Sequence, residues 1–126
     1  MNANTVKIVK QIKTATVSFA SWWPDTSRSI LDKKGFGNGY VGVPKGHPWF
    51  EVAYDNIVCD VHGGLTYGCN EHPVLGMRSA GKDGLWWIGF DTAHLGDTPE
   101  TCPESYVNEE VEKLKQQAID AAIEQK

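Results

Sequence analysis

The sequence predicts an α+β fold, a small antiparallel sheet covered by one long C-terminal helix, and two patterns carry that prediction. From Leu85 to Asp91 the side chains alternate: Trp86, Ile88 and Phe90 make a wholly apolar side opposite Leu85, Trp87, Gly89 and Asp91, as in a strand with one side toward the core. Further on, Val107, Val111, Leu114, Ala118 and Ala121 recur at helical spacing, while Glu109, Lys113, Gln116, Gln117 and Asp120 lie off that stripe. A chain of 126 residues, 40% hydrophobic and 22% charged, has the size and composition of one domain with one core. Within that domain, 1–38 reads as an N-terminal elaboration, 39–97 as the sheet with a candidate site, and 98–126 as the helix.

Taken in order, residues 5–20 carry Val6, Ile8, Val9, Ile12, Val17 and Phe19 without a turn residue. That predicts one long strand with a bulge, or a short helix feeding a strand, with the strand placed over Ala15 to Ala20. Trp22-Trp23-Pro24-Asp25 breaks it, because proline cannot donate to a ladder. Asp32 to Gly39 has the glycine and asparagine content of a turn. A short strand over Gly39 to Val43 follows, ended by the rigid bend Pro44-Lys45-Gly46-His47-Pro48. Ile57 to His62 alternates again, with Ile57, Cys59 and Val61 on one side and Val58, Asp60 and His62 on the other, so a strand is expected there. Gly68 to Gly84, with Pro73, Gly76 and Gly81, reads as a long surface connection. The helix starts either at Thr98, with Pro99 at its first position, or at Ser105.

Charge and cysteine usage narrow the function classes. A net charge of -4 with two arginines, Arg28 and Arg78, argues against a nucleic-acid partner, which needs clustered cations to neutralise phosphates. Lys7, Lys10 and Lys13 form a local basic group best read as a solvated face. No apolar run approaches the roughly 18 residues of a membrane span and no secretory signal pattern opens the chain, so a cytoplasmic protein without a membrane partner is expected. The three cysteines, Cys59, Cys69 and Cys102, lack the paired spacing of a structural zinc site or a disulfide scaffold. Cys59 reads as a buried small hydrophobe, and Cys69, with His72 at Cys-x-x-His spacing, as the more reactive candidate.

The chemistry concentrates in His62-Gly63-Gly64 and in Asp91, His94 and Asp97. Two adjacent glycines let backbone amides approach an anion, and Trp87 offers a ring to stack on a base. A pocket of His47, His62, Gly63, Gly64, Trp87, Asp91, His94 and Asp97 that captures a phosphate-bearing, nucleotide-like molecule is therefore one expectation. A second is a metal-dependent hydrolase in which Asp91, His94 and Asp97 hold the cation and His62 acts as base or ligand. A third is an inhibitor that binds another protein through the surface of Asp25 to Gly39. No Gly-x-Ser-x-Gly elbow is present, and the residues leave enzyme and binder both open.

The segments Gly39-Tyr40-Val41-Gly42-Val43-Pro44-Lys45-Gly46-His47-Pro48, Val61-His62-Gly63-Gly64-Leu65-Thr66-Tyr67 and Trp86-Trp87-Ile88-Gly89-Phe90-Asp91-Thr92-Ala93-His94-Leu95-Gly96-Asp97 resemble a family of small proteins met in tailed phages and mobile elements. The resemblance runs from Gly39 to the C-terminus and carries no activity. It implies an accessory gene of a phage or mobile element acting in the host cytoplasm, for which blocking host defence is the natural expectation, by sequestering a host signal in the pocket or by inhibiting a host protein.

Overall fold

In the computed structural model of the chain, residues 2–22 and 34–124 are described. Of the predicted break at Trp22 to Asp25, Trp22 closes a short helix and the rest lies outside them, as does most of the Asp25 to Gly39 surface. The elements run α1 (Ala3–Gln11), β1 (Lys13–Ser18), α2 (Phe19–Trp22), β2 (Gly37–Pro44), β3 (Tyr67–Cys69), β4 (Leu85–Asp91) and α3 (Glu104–Glu124). The four strands form one antiparallel sheet in the order β1-β2-β4-β3, and α3 lies across it, so the α+β architecture is as the sequence indicates.

The N-terminal run is a helix followed by a strand, not one long strand. Asn2 caps α1 by accepting the Thr5 amide at 2.8 Å, and Ile8 and Ile12 are buried while Lys7, Lys10 and Lys13 remain exposed. One-sided burial at helical spacing outweighs the weak strand preference of the β-branched residues. β1 accordingly starts at Lys13, two residues before the predicted Ala15. β2 begins at Gly37 rather than Gly39, and its glycines serve close approach rather than a turn. A Cβ at Gly37 would meet the Val17 carbonyl at 2.0 Å, and one at Gly39 would meet Val111 of α3 at 2.3 Å.

Register sorts the sheet into two faces. Toward α3 lie Val41, Val43, Ile88 and Phe90, packed with Val107, Val111, Leu114 and Ala118. The helix has 21 residues, about 31 Å at roughly 1.5 Å per residue. It starts at Glu104, so neither predicted cap begins it. Thr98 and Thr101 instead form a turn of mutual hydrogen bonds ahead of it. Its buried stripe includes Glu110 and Ala122, and Ala121 is only partly buried. The opposite sheet face carries a smaller cluster of Val17, Tyr40, Leu85 and Trp87.

The Ile57 to His62 alternation is real but makes no ladder. Ile57 and Val61 are buried and Val58 is 95% exposed, yet the segment is not a strand. It runs along α3, and helix side chains take its backbone groups. Asp60 N–H donates to Gln117 Oε1 at 2.7 Å, Gln117 Nε2 donates to the Asp60 carbonyl at 2.7 Å, and His62 N–H donates to Glu110 Oε1 at 2.8 Å.

Candidate functional site

Three segments converge at one end of the sheet: the extended stretch ending in His62, the β4–α3 connection and the first turns of α3. The connection is built by Asp97. Its carboxylate accepts the His94 amide at 2.9 Å while its own amide donates to the His94 carbonyl at 2.9 Å, closing a tight turn. Cys102 is fixed by its amide, which donates to the Thr98 carbonyl at 2.8 Å, and by its carbonyl, which accepts from Phe36 at 2.8 Å. The Glu110 contact places the backbone of His62, and Glu110 is itself held by Lys113 Nζ at 3.4 Å.

At the centre, His62 Nε2 lies 3.0 Å from Asp97 Oδ1, Asp97 Oδ1 lies 3.5 Å from Cys102 Sγ, and Cys102 Sγ lies 3.9 Å from His62 Nε2. The other ring nitrogen, Nδ1, is 2.9 Å from the Tyr106 hydroxyl. Cys102 is 2% exposed and Asp97 is buried, while His62 is half-buried. Burial would raise the Asp97 pKa, but the hydrogen bonds from the His94 amide and from His62 outweigh it and hold the carboxyl below its ordinary value. Burial pushes the Cys102 thiol up, Thr101 opposes, and the Asp97 and Glu110 charges add to the rise.

That thiol is therefore no activated nucleophile. Asp97 and Cys102 also face the same imidazole nitrogen, so His62 cannot relay a proton between them as a catalytic triad requires. Three donors of mixed type around one point instead suit a borderline divalent cation. Tetrahedral zinc, with N and O at about 2.0–2.1 Å and S at about 2.3 Å, needs donor separations of roughly 3.3–3.6 Å. The three observed separations bracket that range, and shifts of a few tenths of an ångström would close the set.

His94 stands beside this group. Its Nδ1 is 3.2 Å from Asp97 Oδ2 and 3.5 Å from Asp91 Oδ1, and its ring centroid is 5.7 Å from that of His62. It rests on Gly63, where a Cβ would meet the imidazole at 2.4 Å and where φ is +68°. The glycine pair thus makes room for a ring. Two amides of that stretch already have acceptors, His62 on Glu110 and Gly64 on the Val61 carbonyl at 2.9 Å, which weakens it as an anion cradle.

The structure brings His62, Gly63, Asp91, His94 and Asp97 together, with Gly64 next in the chain. His47 and Trp87 lie elsewhere. His47, 4% exposed, accepts the Trp49 amide on Nδ1 at 2.9 Å and donates from Nε2 to the Ala118 carbonyl at 2.7 Å, pinning the bend after β2 to α3. Trp87, 2% exposed, donates from Nε1 to Asp83 at 2.9 Å and packs edge-on against His72 at 4.8 Å on the far sheet face. Among the described residues the convergent donors are His62, Asp97 and Cys102, rather than the Asp91, His94 and Asp97 set that spacing suggests. Cys69 is not part of it, being bonded to the Tyr67 hydroxyl at 2.9 Å. Sequence reasoning missed Cys102, Tyr106 and Glu110. Glu110 had a signal, a carboxylate on the apolar stripe three residues after Val107, whereas Cys102 had none.

No family model, curated protein or solved structure matches the chain. What the site does has to follow from its own geometry. No helix among the described residues is long and apolar enough to cross a membrane.

Proposed function

We propose that the protein is a metal-dependent hydrolase whose divalent cation is held by His62, Asp97 and Cys102. The observation that carries this is the set of three separations, 3.0, 3.5 and 3.9 Å, between one nitrogen, one oxygen and one sulfur. Three protein ligands leave one position of a tetrahedron for water or substrate, the pattern of catalytic rather than structural zinc, and a bound cation there supplies an acidified water and a Lewis acid. The residues around it fit supporting roles. With Nε2 on a cation, His62 would carry its proton on Nδ1 and donate to Tyr106, which fixes the tautomer and the ring plane. His94, partly exposed and hydrogen-bonded through Nδ1 to Asp97, is the group placed to take or return a proton at the open side.

The thiolate and the carboxylate together cancel the charge of a dication, and Glu110 and Asp91 lie close by. This balance favours a neutral or cationic substrate over the phosphate-bearing, nucleotide-like ligand of a sequestered signal. The host-protein reading depends on a surface that lies mostly outside the described residues.

The test is metal content by mass spectrometry after loading with zinc, the absorption spectrum of the cobalt form, and hydrolysis of a panel of amides, esters and phosphoesters with and without chelator. One metal per chain, a thiolate-to-cobalt charge-transfer band lost in Cys102→Ser, and chelator-sensitive turnover are expected. Metal retained equally by His62→Ala and Cys102→Ser would sink the ligand set, and a loaded protein that turns over nothing in the panel would sink the hydrolase.

A further inference from the structure

The far face of the sheet holds a cavity of about 360 Å³, within the range of small-molecule sites. Its floor is set by strand register. Asn38 on β2 sits opposite Asp91 on β4, and in the next row Tyr40 and Tyr67 flank Gly89. The rings meet edge to face at 5.2 Å, and a Cβ on Gly89 would strike Tyr40 at 2.3 Å, so the glycine lets the two rings settle onto the strand. Glu71 and His72 of the β3–β4 connection close the other side.

Asn38 is 8% exposed, and with its Nδ2 donating to the Tyr40 hydroxyl at 3.0 Å, its Oδ1 accepts nothing among the described residues. A buried amide oxygen without a partner is costly and calls for a donor, here one brought from outside. The other polar side chains of the lining are the carboxylates of Asp91 and Glu71, the hydroxyls of Tyr40, Tyr67 and Thr66, and the His72 ring. Burial raises the Tyr40 hydroxyl pKa, the Asn38 bond opposes, and the Asp91 charge adds to the rise, so the phenol stays protonated. His72 accepts the Val74 and Leu75 amides on Nδ1 at 3.1 and 3.3 Å, which leaves its proton on Nε2. No lysine or arginine lines the cavity among the described residues.

We propose that this cavity binds a small organic cation bearing N–H donors, a guanidinium or primary ammonium group. The cation donates to Asn38 Oδ1 and to the Asp91 carboxylate while its apolar face rests on Tyr40 and Tyr67. The site stands independently of the metal centre. Asp91 alone touches both, through its 3.5 Å contact with His94.

The experiment is a nuclear magnetic resonance titration of the full chain with methylguanidinium, butylammonium, tetramethylammonium, inorganic phosphate and adenosine monophosphate. Saturable shifts around Tyr40 and Asp91 are expected with the first two, and much weaker ones with tetramethylammonium, which has no N–H. Asn38→Leu should weaken binding roughly ten- to hundredfold with little change in melting temperature, because the orphaned acceptor it removes offsets the lost bond from Nδ2 to Tyr40, whereas a purely structural asparagine would be missed on melting. Asp91→Asn should weaken binding similarly and carries the test if Asn38→Leu fails to fold, and His62→Ala should bind the cation as well as the parent does. Absence of saturable binding by both N–H cations in the millimolar range overturns the proposal. So does equal binding of tetramethylammonium, or phosphate or nucleotide binding at this cavity that Asn38→Leu removes.

Discussion

His47 and His62 each use both ring nitrogens, yet the two corners of the molecule they occupy differ in kind. The partners of His47 are backbone groups of Trp49 and Ala118, which neither rotate nor ionise, so the ring works as a rivet between the bend after β2 and α3. The partners of His62 are side chains, the Asp97 carboxylate and the Tyr106 hydroxyl, with the Cys102 thiol behind them. Those can exchange protons or turn toward a ligand. A histidine bonded to main chain is committed to the fold, and one bonded to ionisable side chains remains available for chemistry.

The sharpest way to break this comparison is to remove each ring in turn. His62→Ala should abolish zinc binding, a loss of at least about a hundredfold in affinity, while costing only about 1 kcal/mol of stability because the ring is partly exposed. Competition with a chromophoric chelator alongside thermal melting reads both. His47→Ala should do the reverse. It leaves the Trp49 amide buried without an acceptor, strips the Ala118 carbonyl of its bond from outside the helix and empties a buried site, and should lower unfolding free energy by roughly 2–4 kcal/mol in denaturant titration, with zinc affinity of the folded protein unchanged. If His47→Ala lost zinc and kept its stability, the two corners would have been assigned the wrong way round.

Acid should separate them further. Burial lowers the His47 pKa below 6.5, against the raising effect of the Ala118 carbonyl. Below the unfolded value the unfolded chain therefore binds a proton that the folded chain resists. The stabilisation is complete above pH 6.5 and is lost as the pH falls toward the folded value. His47→Gln should flatten that part of the stability profile and His62→Gln should leave it in place. Tyr106→Phe is the gentlest probe. It removes the partner of His62 Nδ1 and should weaken zinc by about tenfold with little change in melting. No change in affinity would mean that Tyr106 does not orient the ring.

Legibility followed the same division. The alternation in β4 and the stripe in α3 reported one-sided burial correctly, and both elements formed where the patterns lay. The same kind of alternation in Ile57 to His62 also reported burial correctly, but the pairing partner proved to be a helix rather than a strand. Period two records which side chains face the core and says nothing about where the amides go. Residues 3–11 were harder, because a β-branched helix and a strand share composition and only the burial of Ile8 and Ile12 separates them. At the site, His62 and Asp97 stood out as polar residues in short apolar segments. Cys102 did not, since it lies 40 positions from His62 and its neighbours carry no spacing that links them.

The amino-acid order alone therefore sufficed for the α+β class, the long C-terminal helix, the inward face of β4 and the neighbourhood of the site, because each is written in local periodicity and composition. Which histidine is a rivet, which cysteine joins the cluster and which asparagine is left with an orphaned oxygen were settled by folding. Those outcomes depend on non-local hydrogen bonds, such as Glu110 to His62 and Phe36 to Cys102, that bring distant loop residues within a few ångströms of one another.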